Sequence, residues 1–260
     1  MYDDHNGITK EEDPIMANDV HISGSGRVAS GNYNEIHISG SGRLEGPVWC
    51  QSCHVSGSCR DEGTLTVMDD FHCSGSFRSE GHVDCGEISV SGSAHINGNV
   101  AGREEIHVSG SLKCHSLYGG EVSISGGLNA ERDVEAEEFH MSGGGEIKGL
   151  LNAEEVDICI GGITLGTALK IGQIGGSEIR IRRSKAGGLL GKLMGGKRLG
   201  SGIVEVGTIE GDDISLEAVK ADVVRGRDVE IGEDCEIRRV EYSGELTVGT
   251  GAVVLEQVRI

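Results

Sequence analysis

The stretch Glu35-Ile36-His37-Ile38-Ser39-Gly40-Ser41-Gly42-Arg43 decides the fold of this chain, because close variants of it recur through the whole first half. Each copy places an apolar, a polar and an apolar residue before Ser-Gly or a similar pair. The first apolar residues of eight copies are Val20, Ile36, Cys53, Phe71, Ile88, Ile106, Val122 and Phe139. They follow one another at a nearly constant interval of about 17 residues, and a repeat this short indicates a solenoid.

Each repeat divides into three short strands, for example Ile88-Ser89-Val90, Ala94-His95-Ile96 and the region of Val100. Alternating apolar and polar residues are typical of a strand with one buried face. The Ser-Gly and Asn-Gly pairs between the strands predict corners, where glycine would supply the backbone angles of a sharp bend. Strands this short bury their inner faces only when coils stack on one another. The sequence therefore predicts an all-β fold, a three-sided parallel β-helix.

The same period predicts the extent of the β-helix. Val156 continues the inward column, and Ile214, Ile231 and Val248 follow one another with the same period further along the chain. We expect about 13 or 14 coils over residues 19–260, which at about 4.8 Å per coil form a rod on the order of 60 Å long. Residues 1–18 lack the repeat and are rich in Asp and Glu, so we predict a disordered acidic tail there.

A basic, glycine-rich insertion is expected at residues 184–202. Seven basic residues and no acidic one lie from Arg180 to Gly202. One hypothesis is that this insertion contacts an anionic membrane surface or a partner protein. The alternative is a flexible, solubilising loop, since so many glycines oppose a stable helix. The residues predicted to make the contact are Leu189, Leu190, Lys192, Leu193, Lys197 and Arg198.

Composition excludes several functional classes. A net charge of -19 argues against a nucleic-acid-binding surface, which would be basic. Aromatic residues make up 3% of the chain and glycine 44 of its 260 residues, unlike an ordinary globular domain of this size. With no long apolar run at the N-terminus, we expect neither a secretory signal nor a membrane span, and a cytoplasmic location. The eight cysteines are then expected to be thiols.

One histidine position recurs between the two apolar residues of the first strand. Alternation places this column on the outside, with neighbouring imidazoles about 5 Å apart. It is either a metal-binding or pH-responsive ladder, or a surface ladder whose identical residues simply stack well. No carboxylate is regularly interleaved between the rings, which favours the simple ladder. The candidate metal ligands are His21, His37, His54 and His72.

Catalytic motifs are not visible in the sequence. Cys50-Gln51-Ser52-Cys53 has the spacing of a redox or zinc pair, but no second pair follows and Cys53 occupies a predicted core position. The alternative is that these thiols are small buried hydrophobes. The chain also lacks a glycine-rich phosphate loop, a Ser/His/Asp arrangement and the regular acidic cluster of polysaccharide-cleaving β-helices. We expect no enzyme activity and no cofactor.

The serial Ile-Ser-Gly-Ser-Gly-Arg coils resemble bactofilins, the bacterial polymer-forming cytoskeletal proteins. The stretch from Val206 through Ile214 to Ile237 is similar to the long bactofilin-like proteins of Gram-positive bacteria. This resemblance, which covers residues 20 to about 245, implies a right-handed β-helix that polymerises end to end without nucleotide, as a scaffold. The family offers no catalytic residues to transfer. This chain is about twice as long as the shorter members.

The last coil supports this expectation. Solenoids normally carry polar caps on their end coils, whereas residues 251–260 remain largely apolar. We therefore predict an assembly interface at Val254, Leu255, Val258 and Ile260. The expected function is a self-associating scaffold protein; the alternative is a monomeric or dimeric adaptor that docks partner proteins or a membrane along the rod.

Overall fold

The computed structural model describes residues 18–161, 169–184 and 202–260, and within these ranges the chain contains β-strands and no helix. The strands are β1 Val20–Ile22, β2 Ser25–Ile38, β3 Ser41–Val55, β4 Ser58–Asp61, β5 Leu65–Val67, β6 Asp70–Cys73, β7 Ser76–Ser79, β8 Val83–Cys85, β9 Glu87–Val90, β10 Ser93–Ile96, β11 Val100–Val108, β12 Ser111–Cys114, β13 Leu117–Ile124, β14 Gly127–Ala130, β15 Val134–Met141, β16 Gly144–Ile160, β17 Leu169–Arg183, β18 Val204–Leu216, β19 Val219–Ile231, β20 Glu236–Tyr242, β21 Leu246–Val248 and β22 Val253–Arg259.

Every strand pairs in parallel with the coil before or after it, which confirms the predicted β-solenoid. Ile106, for example, is the register partner of Ile88 in one neighbouring coil and of Val122 in the other. This first inward column counts thirteen coils in the described ranges: Val20, Ile36, Cys53, Phe71, Ile88, Ile106, Val122, Phe139, Val156, Ile179, Ile214, Val229 and Leu246. Most coils keep the length that the sequence repeat predicts.

The core is the stack of inward columns that three strands per coil contribute. In the coil that begins at Ile88, the inward residues Val90, Ala94, Ile96 and Val100 are at most 2% exposed. Because equivalent positions stack at about 4.8 Å, each column buries its apolar side chains against the same column in the next coil. One continuous core therefore runs along the rod without any help from a helix.

The residues that share the 17-residue period in the second half do not all stand in one column. Ile214 pairs with Val229, and Val229 then pairs with Leu246. Ile231 and Val248 stand in the second inward column of the same face. The cause is the coil between Ile214 and Val229, which is two residues shorter than the mean. Because side chains alternate in direction with a period of two, counting forward by the mean repeat length still ends on an inward residue. That residue, however, lies in the second inward column and not in the first.

Two coils are longer than the others. The register partners Ile147 and Ile171 are separated in the sequence by clearly more than the mean repeat, and Leu169 and Val204 are further apart still. The register resumes after both. Residues 162–168 and 185–201 lie outside the described ranges.

The corner glycines lie unusually close to the backbone of the preceding coil. Seven of them share one corner: Gly40, Gly57, Gly75, Gly92, Gly110, Gly126 and Gly143. None has a positive φ, so the expected need for special bend angles is wrong. A Cβ on Gly92 would overlap with the carbonyl oxygen of Gly75 in the preceding coil. Close approach of two backbones therefore selects glycine here.

Asp61 is a carboxylate in the core. It and Ser79 are both 0% exposed, at inward positions that other coils fill with apolar residues. The Ser79 hydroxyl donates to Asp61 Oδ2 at 2.6 Å, and the Gly63 amide donates to Oδ1 at 3.0 Å. Burial raises the pKa of Asp61 above its ordinary value, while these two hydrogen bonds oppose the rise.

Replacing Asp61 by asparagine is expected to stabilise the protein at pH 7, because the amide has no charged form and burial disfavours the charged form of Asp61. The raised native pKa means that wild type loses stability as pH rises from below 3.8 through the native value, and the asparagine variant does not. Urea unfolding at pH 7 and at low pH measures both. In the control Asp61→Ala, the Gly63 amide loses its acceptor, at a cost of about 1–3 kcal/mol. An Asp61→Asn variant weaker than wild type at pH 7 would contradict this account.

Candidate functional site

The coil that contains β22 is the last coil of the solenoid in the described ranges. Strand β22 pairs with β20 on one side and has no strand partner on the other in the described ranges. The structure exposes eight large apolar side chains in those ranges, and four of them lie in this end segment: Val248 at 39%, Val253 at 52%, Leu255 at 75% and Ile260 at 66%. An unpaired strand edge with exposed apolar groups is a template for another chain.

The four residues predicted as an assembly interface differ in their placement. Leu255 and Ile260 are the two most exposed large apolar side chains in the described ranges. Val254 packs against the core as the partner of Ile237, and Val258 is half-buried beside its partner Glu241. Leu255 and Ile260 are therefore the two that are free to contact another molecule.

Polar residues occupy two inward positions of this last coil. Gln257 is the register partner of buried Val240, and Arg259 is the partner of Tyr242. Both are exposed. One of the three sides of the end coil is consequently polar, while the sides that hold Leu246, Val248 and Val254 remain apolar. Gln257 and Arg259 are plain in the sequence, but only the register of the last strand shows that they occupy inward positions.

A network of ion pairs fixes the end coil to the coils before it. Arg239 contacts Glu256 of the last coil at 3.2 Å and Glu241 at 2.7 Å, and Arg225 contacts Glu241 at 2.7 Å. The hydrogen bond from Arg225 lowers the pKa of Glu241, with a smaller contribution from Arg239. The amide of Ile260, the last residue, donates to the Tyr242 carbonyl at 2.9 Å. These contacts join the end coil to the two coils before it.

A shallow groove of about 750 Å³ runs along the second side of the rod and ends at Val253 and Leu255. One wall alternates in charge, and its ion pairs include Lys170 with Glu205 at 3.4 Å. Gly172 and Gly207 open the other wall. The charges of the first wall therefore pair with one another between neighbouring coils, as Lys220 and Glu236 also do at 3.9 Å.

The four candidate metal ligands form a continuous stack on the first side of the rod. His21, His37, His54 and His72 are register partners in successive coils. Their ring centres lie 6.0, 6.4 and 6.2 Å apart along the stack, with neighbouring rings tilted by 42° to 45°. His21 is exposed and the other three are half-buried. Within the described part of the chain, no three His, Cys, Asp or Glu side chains already converge on a point that would hold a metal ion.

Carboxylates accompany this column, contrary to the sequence analysis. The residue directly before the first inward residue of each coil lies on the same outer surface. It is acidic in twelve of the thirteen coils: Asp19, Glu35, Asp70, Glu87, Glu105, Glu121, Glu138, Glu155, Glu178, Asp213, Asp228 and Glu245. Asp70 Oδ2 lies 3.3 Å from His54 Nε2. This acidic position can be recognised in the sequence, because it directly precedes the first inward residue of each coil.

The cysteines are core residues, as the structural alternative for Cys50 and Cys53 predicts. Seven of the eight are buried and Cys159 is partly exposed. The hydrogen bond with Cys50, and then burial, raise the pKa of the Cys53 thiol well above its ordinary value. Burial raises the pKa of Cys59 to about 12 and that of Cys73 to about 11. Protonated, inaccessible thiols are poor nucleophiles.

In the folded protein, therefore, about one thiol of the eight is expected to react quickly with Ellman's reagent. Cys159 is that thiol, and the variant Cys159→Ser is expected to lose the fast phase. The other seven become reactive only when denaturant unfolds the coils. Rapid native-state labelling of several thiols would contradict the buried placement.

Two predicted regions lie outside the described ranges. They are the contact residues Leu189, Leu190, Lys192, Leu193, Lys197 and Arg198, and residues 1–17 of the acidic tail. Asn18 already belongs to the solenoid, since its carbonyl accepts a hydrogen bond from the Asn34 amide at 3.0 Å. Among the described residues, no helix has the length and apolar character to cross a membrane.

Comparison with known proteins identifies the repeat region. Residues 56–152 match the family model Bactofilin, which is described as polymer-forming cytoskeletal. These residues form a bactofilin domain. The match covers the coils from Ser56 to Asn152, where the Ser-Gly corners and the inward columns are most regular. The solenoid continues in the same register on both sides of this bactofilin domain.

The chain is also similar to a curated protein. The chain is 37% identical over 109 residues to a Bacillus subtilis protein named "Uncharacterized protein YhbE". The aligned part is 42% of this chain and 42% of the relative, so the chain spans about two fifths of that protein's length. No solved structure matches the chain significantly.

Proposed function

We propose that this chain is a non-enzymatic cytoskeletal scaffold protein that assembles end to end into polymers without nucleotide. The observation that supports it best is the edge of β22 that has no strand partner in the described ranges, beside which Leu255 and Ile260 are exposed. A further subunit stacked on that coil would pair with the free edge of β22 and pack beside these apolar groups. The bactofilin domain at residues 56–152 also supports polymer formation, because its family model is described as polymer-forming.

Partners and location follow from the same proposal. Other copies of this chain are the principal partner, and residues 184–202 supply a second contact to a membrane surface or to another protein. The polymer resides in the cytoplasm, and that insertion is the part of the chain that would attach it to a membrane. Nucleic acid is not a partner, since the net charge of -19 repels it.

An adaptor without filaments is the second candidate function. The groove of about 750 Å³ beside Val253 and Leu255 favours it, because this groove offers a docking surface on the side of the rod. In that case partner proteins would bind along the rod, and the chain would remain a monomer or dimer.

Sedimentation velocity separates the two functions. We expect the purified chain to form fast-sedimenting polymers whose fraction rises with protein concentration, and to do so equally with and without ATP or GTP. A single slow species at every concentration would reject the scaffold proposal and favour the adaptor. Polymers that require nucleotide would reject the proposed mechanism of assembly.

A further inference from the structure

The stacked histidines differ from the other histidines of the same outer column. His21, His37, His54 and His72 each have an imidazole in an adjacent coil. The stack ends at Ser89, which is the register partner of His72. His107 lies between Ser89 and Ser123, so its nearest neighbours in the column are hydroxyls. The column thus contains one continuous stack and isolated histidines in an otherwise matched setting.

The spacing of the stack suits shared coordination. With metal–nitrogen bonds of about 2.0–2.1 Å, two imidazoles that bind one ion have ring centres about 5–6 Å apart. The observed separations of 6.0 to 6.4 Å lie at or just above the upper end of this range, and rotation of the imidazoles would bring them within it. All four side chains are at least partly accessible on the outside of the rod, so such rotations do not disturb the core.

Carboxylates beside the stack favour a cation. Asp70 lies 3.3 Å from His54 and two residues before His72, on the same surface of the strand. Asp19 and Glu35 hold the corresponding positions before His21 and His37. These groups supply negative charge, an additional oxygen ligand or a hydrogen bond that orients a ligating ring.

We propose that the histidine stack binds borderline divalent transition-metal ions such as Zn²⁺ or Ni²⁺, up to two per chain. One ion is shared by His54 and His72 with Asp70 beside it, and the other is shared by His21 and His37. Solvent completes the coordination, since no three side chains of the described residues converge as they stand. Imidazole nitrogen prefers these ions to Mg²⁺ or Ca²⁺. This inference does not rest on the proposed scaffold function.

Binding would clamp the first coil. Strand β1 pairs with β2 alone in the described ranges, so the end of the solenoid is held from one side. An ion between His21 and His37 joins β1 to the next coil through side chains as well as backbone. A ligand that binds only the native state raises the free energy of unfolding. At ligand concentrations above Kd, this increase grows with the logarithm of the ligand concentration. Metal is therefore expected to slow amide exchange in β1 more than in the middle of the rod.

Isothermal titration of the full chain with ZnCl₂ and NiCl₂, with MgCl₂ for comparison, tests the proposal. The test variant is His37→Ser with His54→Ser, which leaves no adjacent pair of imidazoles in the stack. The control is His107→Ser with His140→Ser, two histidines of the same column without an imidazole neighbour. Serine suits both, because Ser89 and Ser123 already occupy this column. Circular dichroism checks that both variants remain folded.

We expect wild type and control to bind Zn²⁺ and Ni²⁺ alike, and the test variant to lose at least tenfold in affinity. Metal should slow exchange in β1 of wild type and control and have no such effect in the test variant. The proposal is overturned if wild type does not bind either ion, if Mg²⁺ binds as well, or if both double variants lose affinity equally.

Discussion

Gly92→Ala is expected to destabilise the solenoid by about 3 kcal/mol or more, which is near the upper end for a single substitution. The new Cβ would overlap with the Gly75 carbonyl oxygen and lie 2.7 Å from the Ser74 carbonyl carbon. That oxygen cannot move away freely, because it accepts a hydrogen bond from the Ser93 amide at 2.9 Å. Relief of the overlap therefore separates two coils and breaks part of the ladder that joins them.

Gly24→Ala is the matched control. Gly24 holds the same corner position in the first coil, and a Cβ there would meet nothing within 4 Å. Chemical unfolding followed by circular dichroism should show Gly24→Ala within about 0.5 kcal/mol of wild type. Equal losses in the two variants would mean that close approach between coils is not what requires glycine.

Leu255→Glu combined with Ile260→Glu is expected to abolish polymers while the solenoid stays folded. Both side chains are mostly exposed, at 75% and 66%, so their replacement leaves the core intact. In a stacked end, however, each carboxylate would lie about 4.8 Å from the adjoining coil of another subunit, and the net charge of -19 makes added negative charge there unfavourable. Sedimentation should shift from polymers to a single slow species.

Met68→Glu is the control for added charge. Met68 is 50% exposed and lies in the N-terminal half of the rod, away from the last coil. This variant is expected to polymerise like wild type. If the double variant at the end still polymerised, or if Met68→Glu lost polymers to the same extent, the C-terminal coil would not be the assembly interface.

The sequence was sufficient for the regular part of the fold. Each coil repeats its own pattern, so the inward column through Ile88 and Ile106 and the outward histidines follow from local alternation alone. The phase beyond Ile214 was not accessible in the same way. A coil two residues shorter leaves the alternation intact, and only hydrogen-bonded pairing with Val229 reveals the change of column.

Other features depend on contacts between coils. The requirement for glycine at Gly92 comes from the carbonyl of Gly75 in the preceding coil, and local bend geometry does not reveal it. The buried pair of Asp61 and Ser79 likewise reads in the sequence as two ordinary polar residues. The acidic column has the same period in the sequence as the histidines. Its residues lie two positions before the histidines, however, and not between successive histidines.

Negative-stain electron microscopy of the purified chain, at low salt and without nucleotide, tests the central claim most directly. We expect unbranched filaments or sheets whose axial repeat is a multiple of the rod length, about 60 Å for thirteen coils at about 4.8 Å each. Discrete single rods at high protein concentration would contradict end-to-end assembly, and the adaptor function would then be the better account.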